Sequence, residues 1–471
     1  MGEALCVAGT WKTSGRMKPV INPFNGEEVF QVSQAESSDI EAALDASTRA
    51  FRSRSLDPTY ERSALLQRAS AILSDRKEEF SQLITRETGK PISFSRLEVD
   101  RAILTLSLSS EESKRIEGAL LPLDLVPSSR GKEAIVKRFP IGPILAITPF
   151  NFPLNLVAHK LGPAFATGCP VILKPSSNAP VTSLRFAALL YDAGLPRGYL
   201  SVLPCSGDEI SQAVEDERVK LVTFTGSPAV GWPLKSRAGK KRVVLELGGN
   251  AAVIVHHDAD PSKAAERIVL GGFGNAGQSC ISVQRVFAHK SVFESLKDAL
   301  VRESRKIHVG DPREEKTIVG PMITEDAARK VENWVSAALK HGATMVYGGG
   351  RKGAVLSPII LAGVPEDEPV MCNEVFAPVL VLQHYETEEE VIGEVNNSRF
   401  GLQAGLFTND ARFIFRAFRE LEVGGLIIND VSSYRMDSMP YGGVKDSGFG
   451  REGVRYAMEE MTELKLMAVS W

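Results

Sequence analysis

The chain has 471 residues, of which 43% are hydrophobic and 24% charged, and its formal net charge is −3 at pH 7. This composition is that of a globular protein, and the length exceeds the roughly 250–300 residues that one hydrophobic core serves, so two or more domains are expected. Because no basic stretch is present, the charge disfavours nucleic acid and anionic membranes as partners.

The lengths of the apolar runs and the spacing of the cysteines predict the cellular compartment of the protein. The longest apolar runs, such as residues 141–149, are shorter than the about 20 residues that cross a bilayer, and the start lacks the basic and apolar segments of a secretion signal. The cysteines lack the paired spacing of disulfide frameworks or zinc sites. The sequence therefore predicts a cytoplasmic protein with reduced thiols at Cys6, Cys169, Cys205, Cys280 and Cys372.

The N-terminal stretch is predicted to be largely helical. Ser38-Asp-Ile-Glu41 has the spacing of a capping box, in which a hydroxyl and a carboxylate bind the first free amides of a helix. Residues 80–87 form a second predicted helix that ends at Gly89 and Pro91, because glycine accepts the left-handed cap and proline cannot continue the turn.

From residue 144 onward, short apolar runs alternate with helical stretches, which predicts βαβ units and parallel sheets in an α/β fold. The first series has strands at residues 144–148, 171–173, 200–203 and 221–224, and helices at 181–193 and 208–214. The second series has strands at residues 243–247, 252–255, 283–288, 379–382, 404–407 and 426–428. The switch between the series falls near residues 240–241, so a cleft between two domains would carry Glu246 on its wall.

A cysteine follows a glycine-rich bend in Gly274-Asn-Ala-Gly-Gln-Ser-Cys280. Exposed backbone amides in such a bend can favour a thiolate. A buried cysteine is more often a small apolar residue, so this segment alone favours a structural interpretation.

Two other segments supply the groups that a reactive thiolate needs. Glu246 ends an apolar predicted strand beside Gly248 and Gly249, where partial desolvation raises a carboxyl pKa as a general base requires. A salt-bridged strand end is the alternative for this glutamate. Asn151 follows another predicted strand, and its uncharged amide can donate a hydrogen bond to an oxyanion.

Three short patterns bear on metals and phosphates. Adjacent strand residues point to opposite faces, so His256 and His257 are expected on the surface or at a cap, and no metal is predicted. Residues 272–277 and 348–353 match G-x-G-x-x-G by letter but do not link a strand to a helix. A better phosphate site is Gly226-Ser227, where a predicted strand leads to a helix start with free amides.

Several segments together resemble the aldehyde dehydrogenase superfamily over nearly the whole chain. They are Thr148-Pro-Phe-Asn-Phe-Pro153, Glu246-Leu-Gly-Gly249, Gly277-Gln-Ser-Cys280, Asn373-Glu-Val-Phe-Ala-Pro378 and Pro440-Tyr-Gly-Gly-Val-Lys-Asp-Ser-Gly448. The resemblance implies an aldehyde dehydrogenase fold, with a Rossmann-like cofactor domain, an α/β catalytic domain and a small β oligomerisation arm. It also implies Cys280 as nucleophile, Glu246 as base, and Asn151 with the Cys280 amide as oxyanion hole.

The chemistry of an aldehyde agrees with those roles. Attack by a thiolate makes the carbonyl carbon tetrahedral and gives it an oxyanion, after which hydride can leave. Water activated by Glu246 can then hydrolyse the resulting thioester to an acid.

The resemblance also implies the residues that hold NAD or NADP. Lys174 would contact the adenosine ribose, although it could equally be a solvated charge. Ser177 replaces the glutamate of many NAD-preferring relatives, so NADP should be tolerated. Glu374 would hold the nicotinamide ribose, with Phe376 beside it. The other implied cofactor contacts are Thr148, Pro149, Gly226, Ser227 and Gly248.

The residues expected around the substrate leave two substrate classes open. Ser279 stands where relatives that oxidise glyceraldehyde 3-phosphate commonly carry arginine, which disfavours a phosphorylated substrate. Arg101, His159 and Arg435 lie in segments that border the substrate tunnel of similar proteins, and each could equally be a structural ion-pair residue. The segment that begins at Asn155 and the one around Arg435 resemble the lactaldehyde and non-phosphorylating glyceraldehyde-phosphate dehydrogenase branch. The prediction is a short hydroxyaldehyde such as lactaldehyde; the alternative is an anionic aldehyde such as succinic semialdehyde, phosphonoacetaldehyde or glyceraldehyde 3-phosphate.

The implied organisation has three parts. Residues 1–117 and 138–242 would form the cofactor-binding domain, residues 243–430 the catalytic domain, and residues 118–137 with 431–471 the oligomerisation segments. The tail partly alternates as an edge strand would, and an uncovered edge invites pairing with another chain. A homodimer or homotetramer is therefore expected.

Two rival functions use the same scaffold. In a CoA-acylating dehydrogenase CoA takes the acyl group, and such relatives usually lack a glutamate at the place of Glu246. A catalytically silent structural protein is the second rival, since a fold does not fix a function. The presence of Cys280, Glu246 and Asn151 argues against it.

Overall fold

The computed structural model describes residues 2–56 and 58–471. The helices, in chain order, are α1 (Ser37–Ser53), α2 (Thr59–Asp75), α3 (Lys77–Thr88), α4 (Ile92–Glu112), α5 (Asn155–Thr167), α6 (Pro180–Asp192), α7 (Gly207–Glu215), α8 (Pro228–Arg237), α9 (Pro261–Phe273), α10 (Phe293–Ser304), α11 (Glu325–Lys340), α12 (Pro369–Cys372), α13 (Glu388–Asn396), α14 (Ala411–Glu420) and α15 (Val454–Glu460). The strands are β1 (Leu5–Val7), β2 (Thr10–Lys12), β3 (Met17–Ile21), β4 (Glu28–Ser33), β5 (Ala119–Pro122), β6 (Lys132–Pro140), β7 (Ile144–Ile147), β8 (Val171–Lys174), β9 (Leu200–Val202), β10 (Leu221–Thr225), β11 (Arg242–Glu246), β12 (Ala252–Val255), β13 (Arg285–His289), β14 (Thr344–Gly348), β15 (Arg351–Lys352), β16 (Val355–Leu356), β17 (Ile359–Ala362), β18 (Val379–Tyr385), β19 (Phe400–Gly401), β20 (Gln403–Phe407), β21 (Gly425–Ile428), β22 (Val444–Lys445), β23 (Gly448–Phe449) and β24 (Thr462–Ser470).

The first sheet has the strand order β2-β1-β9-β8-β7-β10-β11-β23. Its central strands, β7 to β11, pair in parallel, as their continuous apolar runs predicted. Leu145 and Ile147 belong to one apolar cluster and Ala146 to another, because successive strand residues face opposite sides of the sheet. This sheet is therefore buried on both faces.

One strand lies in a different sheet from the one expected. The sequence assigned residues 243–247 to the second series of strands, but β11 pairs in parallel with β10 and so belongs to the first sheet. Glu246 consequently stands at the carboxyl end of the first sheet, beside Thr225 of β10.

The second sheet has the strand order β14-β17-β18-β13-β12-β20-β21. All its neighbouring strands are parallel except β14 and β17. The predicted strands at residues 252–255, 283–288, 379–382, 404–407 and 426–428 all fall in this sheet. The buried apolar residues of this sheet and its helices form one cluster that spans residues 252–431.

A separate three-stranded sheet has the order β24-β6-β5. The predicted tail strand is present as β24, and it pairs over its full length with β6. It lies at the edge of this sheet and leaves Leu464, Leu466 and Met467 exposed.

The N-terminal region differs from the expectation in two ways. It begins with the four strands β1 to β4, and helices follow only from Ser37 onward. The predicted capping box at Ser38 and Glu41 is wrong, since α1 is capped by Glu36, whose backbone amide donates to Asp39 at 3.0 Å. The helix α3 ends at Gly89 with a left-handed φ of 69°, as predicted.

Within residues 2–56 and 58–471, no helix is long and apolar enough to cross a bilayer.

Candidate active site

A cavity of about 270 Å³ is lined by segments attached to both large sheets. Thr225 and Glu246 end the neighbouring parallel strands β10 and β11, and Asn151 follows β7, so the carboxyl edge of the first sheet supplies one wall. Cys280 lies on the opposite wall, in the loop that leads into β13 of the second sheet. The fold therefore brings together the three residues that the sequence singled out for catalysis.

The loop before Cys280 has an unusual backbone. Asn275, Ala276 and Gly277 have φ values of 54°, 55° and 67°, a left-handed run in which two residues are not glycine. A Cβ at Gly277 would overlap the carbonyl of Ala377, so only glycine fits there. This run turns the chain from the end of α9 towards the cavity.

The side chain of Gln278 fixes this loop. Its Oε1 accepts a hydrogen bond from the Ile323 amide at 2.8 Å, and its Nε2 donates to the carbonyls of Asn275 and Pro321, each at 3.3 Å. The contacts of Gln278 thus help to fix the position of Cys280 two residues further on.

The thiol of Cys280 faces the phenol of Tyr441, with 3.0 Å between Sγ and Oη. Burial raises the pKa of Cys280 to about 12, and the hydrogen bond with Tyr441 partly offsets that rise. The thiol is therefore protonated at neutral pH in this conformation, and its activation requires proton removal when reactants bind.

Asn151 is buried beside this loop. Its Nδ2 donates to the carbonyl of Gln278 at 3.0 Å, which uses one of the two N–H groups of the amide. The second N–H remains for a ligand oxygen in the cavity, as an oxyanion donor needs.

Glu246 is 3% exposed, and neither carboxylate oxygen has a hydrogen-bond partner among the described residues. Burial, together with the negative charge of Glu452, raises the pKa of Glu246 well above its usual range. A Cβ at Gly442 would lie 2.9 Å from Oε1, so glycine leaves space beside the carboxylate. A buried, unpartnered carboxyl of raised pKa has the properties of a general base.

A buried charge network lies behind Glu246. Glu452 accepts from Lys160 at 2.9 Å and from Arg435 at 3.3 Å. Burial opposes ionisation of Glu452, but the two cations outweigh it and lower its pKa to about 2. The guanidinium of Arg435 also lies 3.6 Å from the ring centre of Tyr441, which links this network to the partner of Cys280.

The first part of the expected cofactor site has the geometry of a phosphate-binding turn. β10 leads through Gly226 to Ser227, which is the N-cap of α8 and carries no side-chain cap bond. Pro228 has no N–H and the Val230 amide donates to the Ser227 carbonyl at 3.1 Å, which leaves the Ala229 amide at the start of α8 available to an anion. The other glycine-rich segments, residues 272–277 and 348–353, do not join a strand to a helix.

The second part lies at the end of β8. Lys174 is half-buried, and its Nζ donates to the Pro175 carbonyl at 3.1 Å. Burial lowers the pKa of Lys174, and the charge of Lys18 adds to this. Ser177 and Lys18 line a common cavity, so a cation that the sequence did not suggest lies near the expected ribose position.

The third part surrounds Glu374. Burial raises its pKa to about 7, and the Gly249 amide donates to it at 3.1 Å. A Cβ at Gly248 would overlap the Glu374 carboxylate, so glycine lets that carboxylate approach the backbone closely. Phe376 packs edge-on against Phe150, with 6.1 Å between ring centres, and both line the cavity.

The residues expected around a nicotinamide cofactor thus fit such a group. Pro149 also lines the cavity, and the buried hydroxyl of Thr148 has no hydrogen-bond partner among the described residues. An unpartnered buried hydroxyl and a free helix N-terminus are both suited to a polar ligand.

The residues expected around the substrate divide into two groups. Arg101, Asn155, Ser279 and Arg435 line the cavity. His159 does not, and its buried Nε2 lies 2.7 Å from Oδ1 of Asp437.

Asp437 joins three of the expected substrate residues. It accepts from Arg101 at 2.7 Å and from Asn155 at 3.2 Å, as well as contacting His159. Burial opposes ionisation of Asp437, but its bonds to His159 and Arg101 lower its pKa. Arg101 and Arg435 are therefore both cavity residues and ion-pair residues, which the sequence offered as alternatives.

The geometry expected for His256 and His257 is wrong. β12 ends at Val255, so the two histidines lie in the following turn, and their ring centres are 4.2 Å apart. His256 is buried with Nδ1 2.8 Å from the Tyr385 hydroxyl, whereas His257 is exposed.

Four residues near the catalytic groups were not assigned a role from the sequence. Tyr441 falls inside a motif quoted for the family resemblance, Asp437 lies in the segment around Arg435 that was also compared, and Lys160 follows His159 directly. Glu452 follows those motifs and has no local signal, because its partners lie in other segments. Membership of these segments could have marked the first two as candidates.

Comparison with known proteins bears on the family. A model of the aldehyde dehydrogenase family matches residues 11–467. The chain is 46% identical over 467 residues to a 3-sulfolactaldehyde dehydrogenase of Priestia aryabhattai, covering 99% of this chain and 98% of that relative.

Two solved structures show the same fold. Aldehyde dehydrogenase 21 from Physcomitrella patens, in complex with the reaction product succinate, has a TM-score of 0.97 and 42% identity, covering 100% of this chain and 98% of the other. A glyceraldehyde-3-phosphate dehydrogenase from Methanocaldococcus jannaschii, complexed with NADP, has a TM-score of 0.93 and 36% identity, covering 97% and 100%.

Proposed function

The chain belongs to the aldehyde dehydrogenase family and uses NAD or NADP, and from that premise we propose that Cys280 is its nucleophile and Glu246 its general base. One observation carries the proposal: the buried, unpartnered carboxyl of Glu246 lines the same cavity as the thiol of Cys280 and the amide of Asn151. These are the groups that covalent oxidation and hydrolysis of an aldehyde require.

The chain's own residues perform the covalent chemistry. After the Cys280 thiol has released its proton to solvent, the thiolate adds to the aldehyde carbon, and the resulting oxyanion accepts hydrogen bonds from Asn151 and from the Cys280 backbone amide. A bound nicotinamide ring supplies the hydride acceptor. Loss of hydride converts the tetrahedral adduct on Cys280 into a thioester.

Hydrolysis then releases the product. Glu246 removes a proton from water, the hydroxide adds to the thioester carbon, and the C–S bond breaks. The products are a carboxylic acid and the Cys280 thiolate. This step distinguishes the proposal from a CoA-acylating enzyme, in which CoA would take the place of water.

Residues from both large sheets would hold the cofactor. The Ala229 amide at the start of α8 would contact the pyrophosphate, Lys174 at the end of β8 the adenosine ribose, and Glu374, which precedes β18 of the second sheet, the nicotinamide ribose. The proximity of Lys18 to Lys174, and the absence of a carboxylate at Ser177, support tolerance of the 2′-phosphate of NADP.

The proposed substrate is a short 2-hydroxyaldehyde such as lactaldehyde. The cavity of about 270 Å³ is small, and polar side chains in its largely apolar lining, such as Asn155 and Ser279, can bind a hydroxyl group. A hydroxyaldehyde with an anionic group is a second candidate, favoured by Arg101 and Arg435 in the lining. 3-Sulfolactaldehyde, named for the relative from Priestia aryabhattai, combines both features.

Substrate profiling with one variant separates these candidates. Initial rates would be compared for lactaldehyde, 3-sulfolactaldehyde and succinic semialdehyde in the parent enzyme and in Arg101→Gln. If the substrate is anionic, kcat/KM for the anionic aldehydes falls in Arg101→Gln while that for lactaldehyde does not. Arg96→Gln, on the same helix but outside the cavity, is the matched control.

The catalytic assignment is tested by Cys280→Ala. This variant should fold normally and form no NADH or NADPH with any aldehyde, whereas Cys372→Ala, which removes the other partly exposed thiol, should retain the parent rate. Turnover in Cys280→Ala at the parent rate would refute the assignment.

The β24-β6-β5 sheet supports a proposal for assembly. Its edge strand β24 exposes apolar side chains, which suits pairing with a second copy of the chain in a homodimer or homotetramer. Residues 118–137 and 431–471 would then serve as the oligomerisation segments of the three-part organisation. Light scattering after size-exclusion chromatography measures the assembly, and a monomer at micromolar concentration would contradict it.

A further inference from the structure

A second cluster of reactive side chains lies at the carboxyl edge of the second sheet. His256 and His257 directly follow β12, and His289 is the last residue of β13. β12 and β13 are parallel neighbours, so their carboxyl ends meet. Cys280 precedes β13, so this cluster lies at the opposite end of that strand from the cavity.

The three imidazoles have the spacing of metal ligands. Their ring centres are 4.2 Å apart for His256 and His257, 5.5 Å for His257 and His289, and 5.8 Å for His256 and His289. In a tetrahedral site with Zn–N bonds of about 2.0–2.1 Å, ring centres are separated by roughly 5 Å. The observed triangle has that size.

A carboxylate adds a further donor. Ligand atoms of His256, His257 and Asp258 all lie within 4.8 Å of one another, whereas His289 is not part of that group. Two ligand atoms on one tetrahedral zinc ion are about 3.3 Å apart, so small movements would bring these three together, and His289 would have to turn its ring towards them. Nitrogen donors with one carboxylate suit zinc and its neighbours better than calcium or magnesium.

The ligands are oriented by their neighbours in the way that metal sites require. Nδ1 of His256 lies 2.8 Å from the Tyr385 hydroxyl, which leaves Nε2 for an ion. Asp258 accepts from the Thr408 hydroxyl and from the Asn409 amide, both at 2.8 Å. Such hydrogen bonds fix ligand orientation in known metal sites.

The remaining two ligands are accessible. His257 is exposed, so an ion can enter from solvent. Nδ1 of His289 accepts the Ser291 amide at 3.2 Å and lies 2.7 Å from the Ser291 hydroxyl, so Nε2 is the nitrogen that would bind an ion, with loss of the proton that the neutral ring carries there.

We propose that His256, His257, His289 and Asp258 form a binding site for Zn²⁺ or a similar divalent transition-metal ion. The bound ion would join the turn after β12 to the end of β13. Its role is structural, because it lies at the far end of β13 from Cys280. Zinc should therefore raise the melting temperature of the protein without being required for turnover.

The test measures zinc binding in the full-length chain. Cys280→Ser and Cys372→Ser are introduced together, because these two partly exposed thiols would otherwise compete for zinc. Titration against a chromophoric chelator should show one ion per chain at this site. Loss of a hydrogen bond to a metal ligand typically weakens metal affinity by about tenfold or more. In this background, His257→Ala removes a ligand itself and should weaken zinc affinity by more than about tenfold.

A matched control uses His384→Ala, since His384 is exposed on the adjacent strand β18 and lies outside the cluster. This variant should bind zinc like its parent. Substitution of Co²⁺ gives a second readout, because intense visible absorption indicates tetrahedral coordination and should be lost in His257→Ala and in His289→Ala. The proposal is overturned if the parent binds no zinc, or if either of these two variants binds it with the parent affinity.

Discussion

The Tyr441 hydroxyl lies 3.0 Å from the Cys280 thiol, and the same phenol ring lies 3.6 Å from the guanidinium of Arg435. Arg435 in turn pairs with Glu452 at 3.3 Å. A positive charge against the ring makes the phenol O–H a stronger hydrogen-bond donor to the sulfur, so Tyr441 couples the buried ion pair to the nucleophile.

Replacing Tyr441 by Phe should make Cys280 less reactive. The hydrogen bond lowers the pKa of Cys280, so its loss raises that pKa further and reduces the thiolate fraction at a given pH. A hydrogen bond to a charged group contributes about 1.5–3 kcal/mol, so alkylation by iodoacetamide should slow roughly tenfold or more. The rate would be measured from pH 7 to pH 10 without cofactor. Tyr434→Phe, whose ring is partly exposed, should alkylate at the parent rate.

Hydrolysis of the thioester should depend on the ionisation of Glu246. Its pKa is raised by burial and by Glu452, and only the deprotonated form accepts a proton from water. The hydrolytic rate should therefore rise with pH through a pKa well above 4.5. In Glu246→Gln this dependence should vanish, and rapid mixing should show a burst of NADH or NADPH followed by a stalled thioester. An unchanged steady-state rate would contradict the role of Glu246.

Removing the charge of Glu452 should shift that pH profile. Glu452→Gln deletes a negative charge that disfavours ionisation of Glu246 and frees the positive charges of Lys160 and Arg435. Both effects lower the pKa of Glu246, so the rising limb should move to lower pH. The measurement is the pH dependence of the single-turnover hydrolysis rate, with circular dichroism to verify folding. A shift to higher pH would exclude this coupling.

Cofactor choice should respond to charge at Ser177. Two like charges 4 Å apart repel by about 1–4 kcal/mol near a protein surface, so Ser177→Glu should lower kcat/KM for NADP by about tenfold or more relative to NAD. Ser177→Gln has the same size without the charge and should leave the ratio near that of the parent. Equal ratios in the two variants would show that Ser177 does not face the 2′ position.

Glu98 should contribute strongly to stability. It is buried, pairs with the buried Lys90, and accepts the amides of Leu154 at 2.9 Å and Asn155 at 3.1 Å at the start of α5. Breaking a buried ion pair by removing one charge costs about 3–5 kcal/mol, so Glu98→Gln should lower the melting temperature markedly.

The surface pair of Arg76 and Glu79 provides the control for that measurement. Their atoms approach to 2.6 Å, but both side chains are substantially solvated. Exposed ion pairs contribute at most about 1 kcal/mol, so Glu79→Gln should melt close to the parent. Equal losses in the two variants would mean that the charge of Lys90 is not buried in solution.

The sequence predicted what depends on local pattern. The parallel strands of the first sheet follow from continuous apolar runs, and Cys280 and Glu246 stand out because glycines surround them. The sheet that receives β11 was predicted wrongly, since strand pairing is decided by contacts distant in sequence. For the same reason the sequence did not identify a role for Glu452, because its partner Lys160 is nearly 300 residues away along the chain.

Asn275, Ala276 and Gly277 form a left-handed run, so the position of Cys280 depends on the residues that hold this run in place. A free chain rarely adopts three such conformations in succession, so the run persists only while Gln278 and the packing around it hold. A low concentration of denaturant should unfold this short segment before either sheet unfolds, because few contacts stabilise it and they are local. The enzyme would then lose activity while it is still folded. Its activity would be half lost at a lower denaturant concentration than its helical circular dichroism signal.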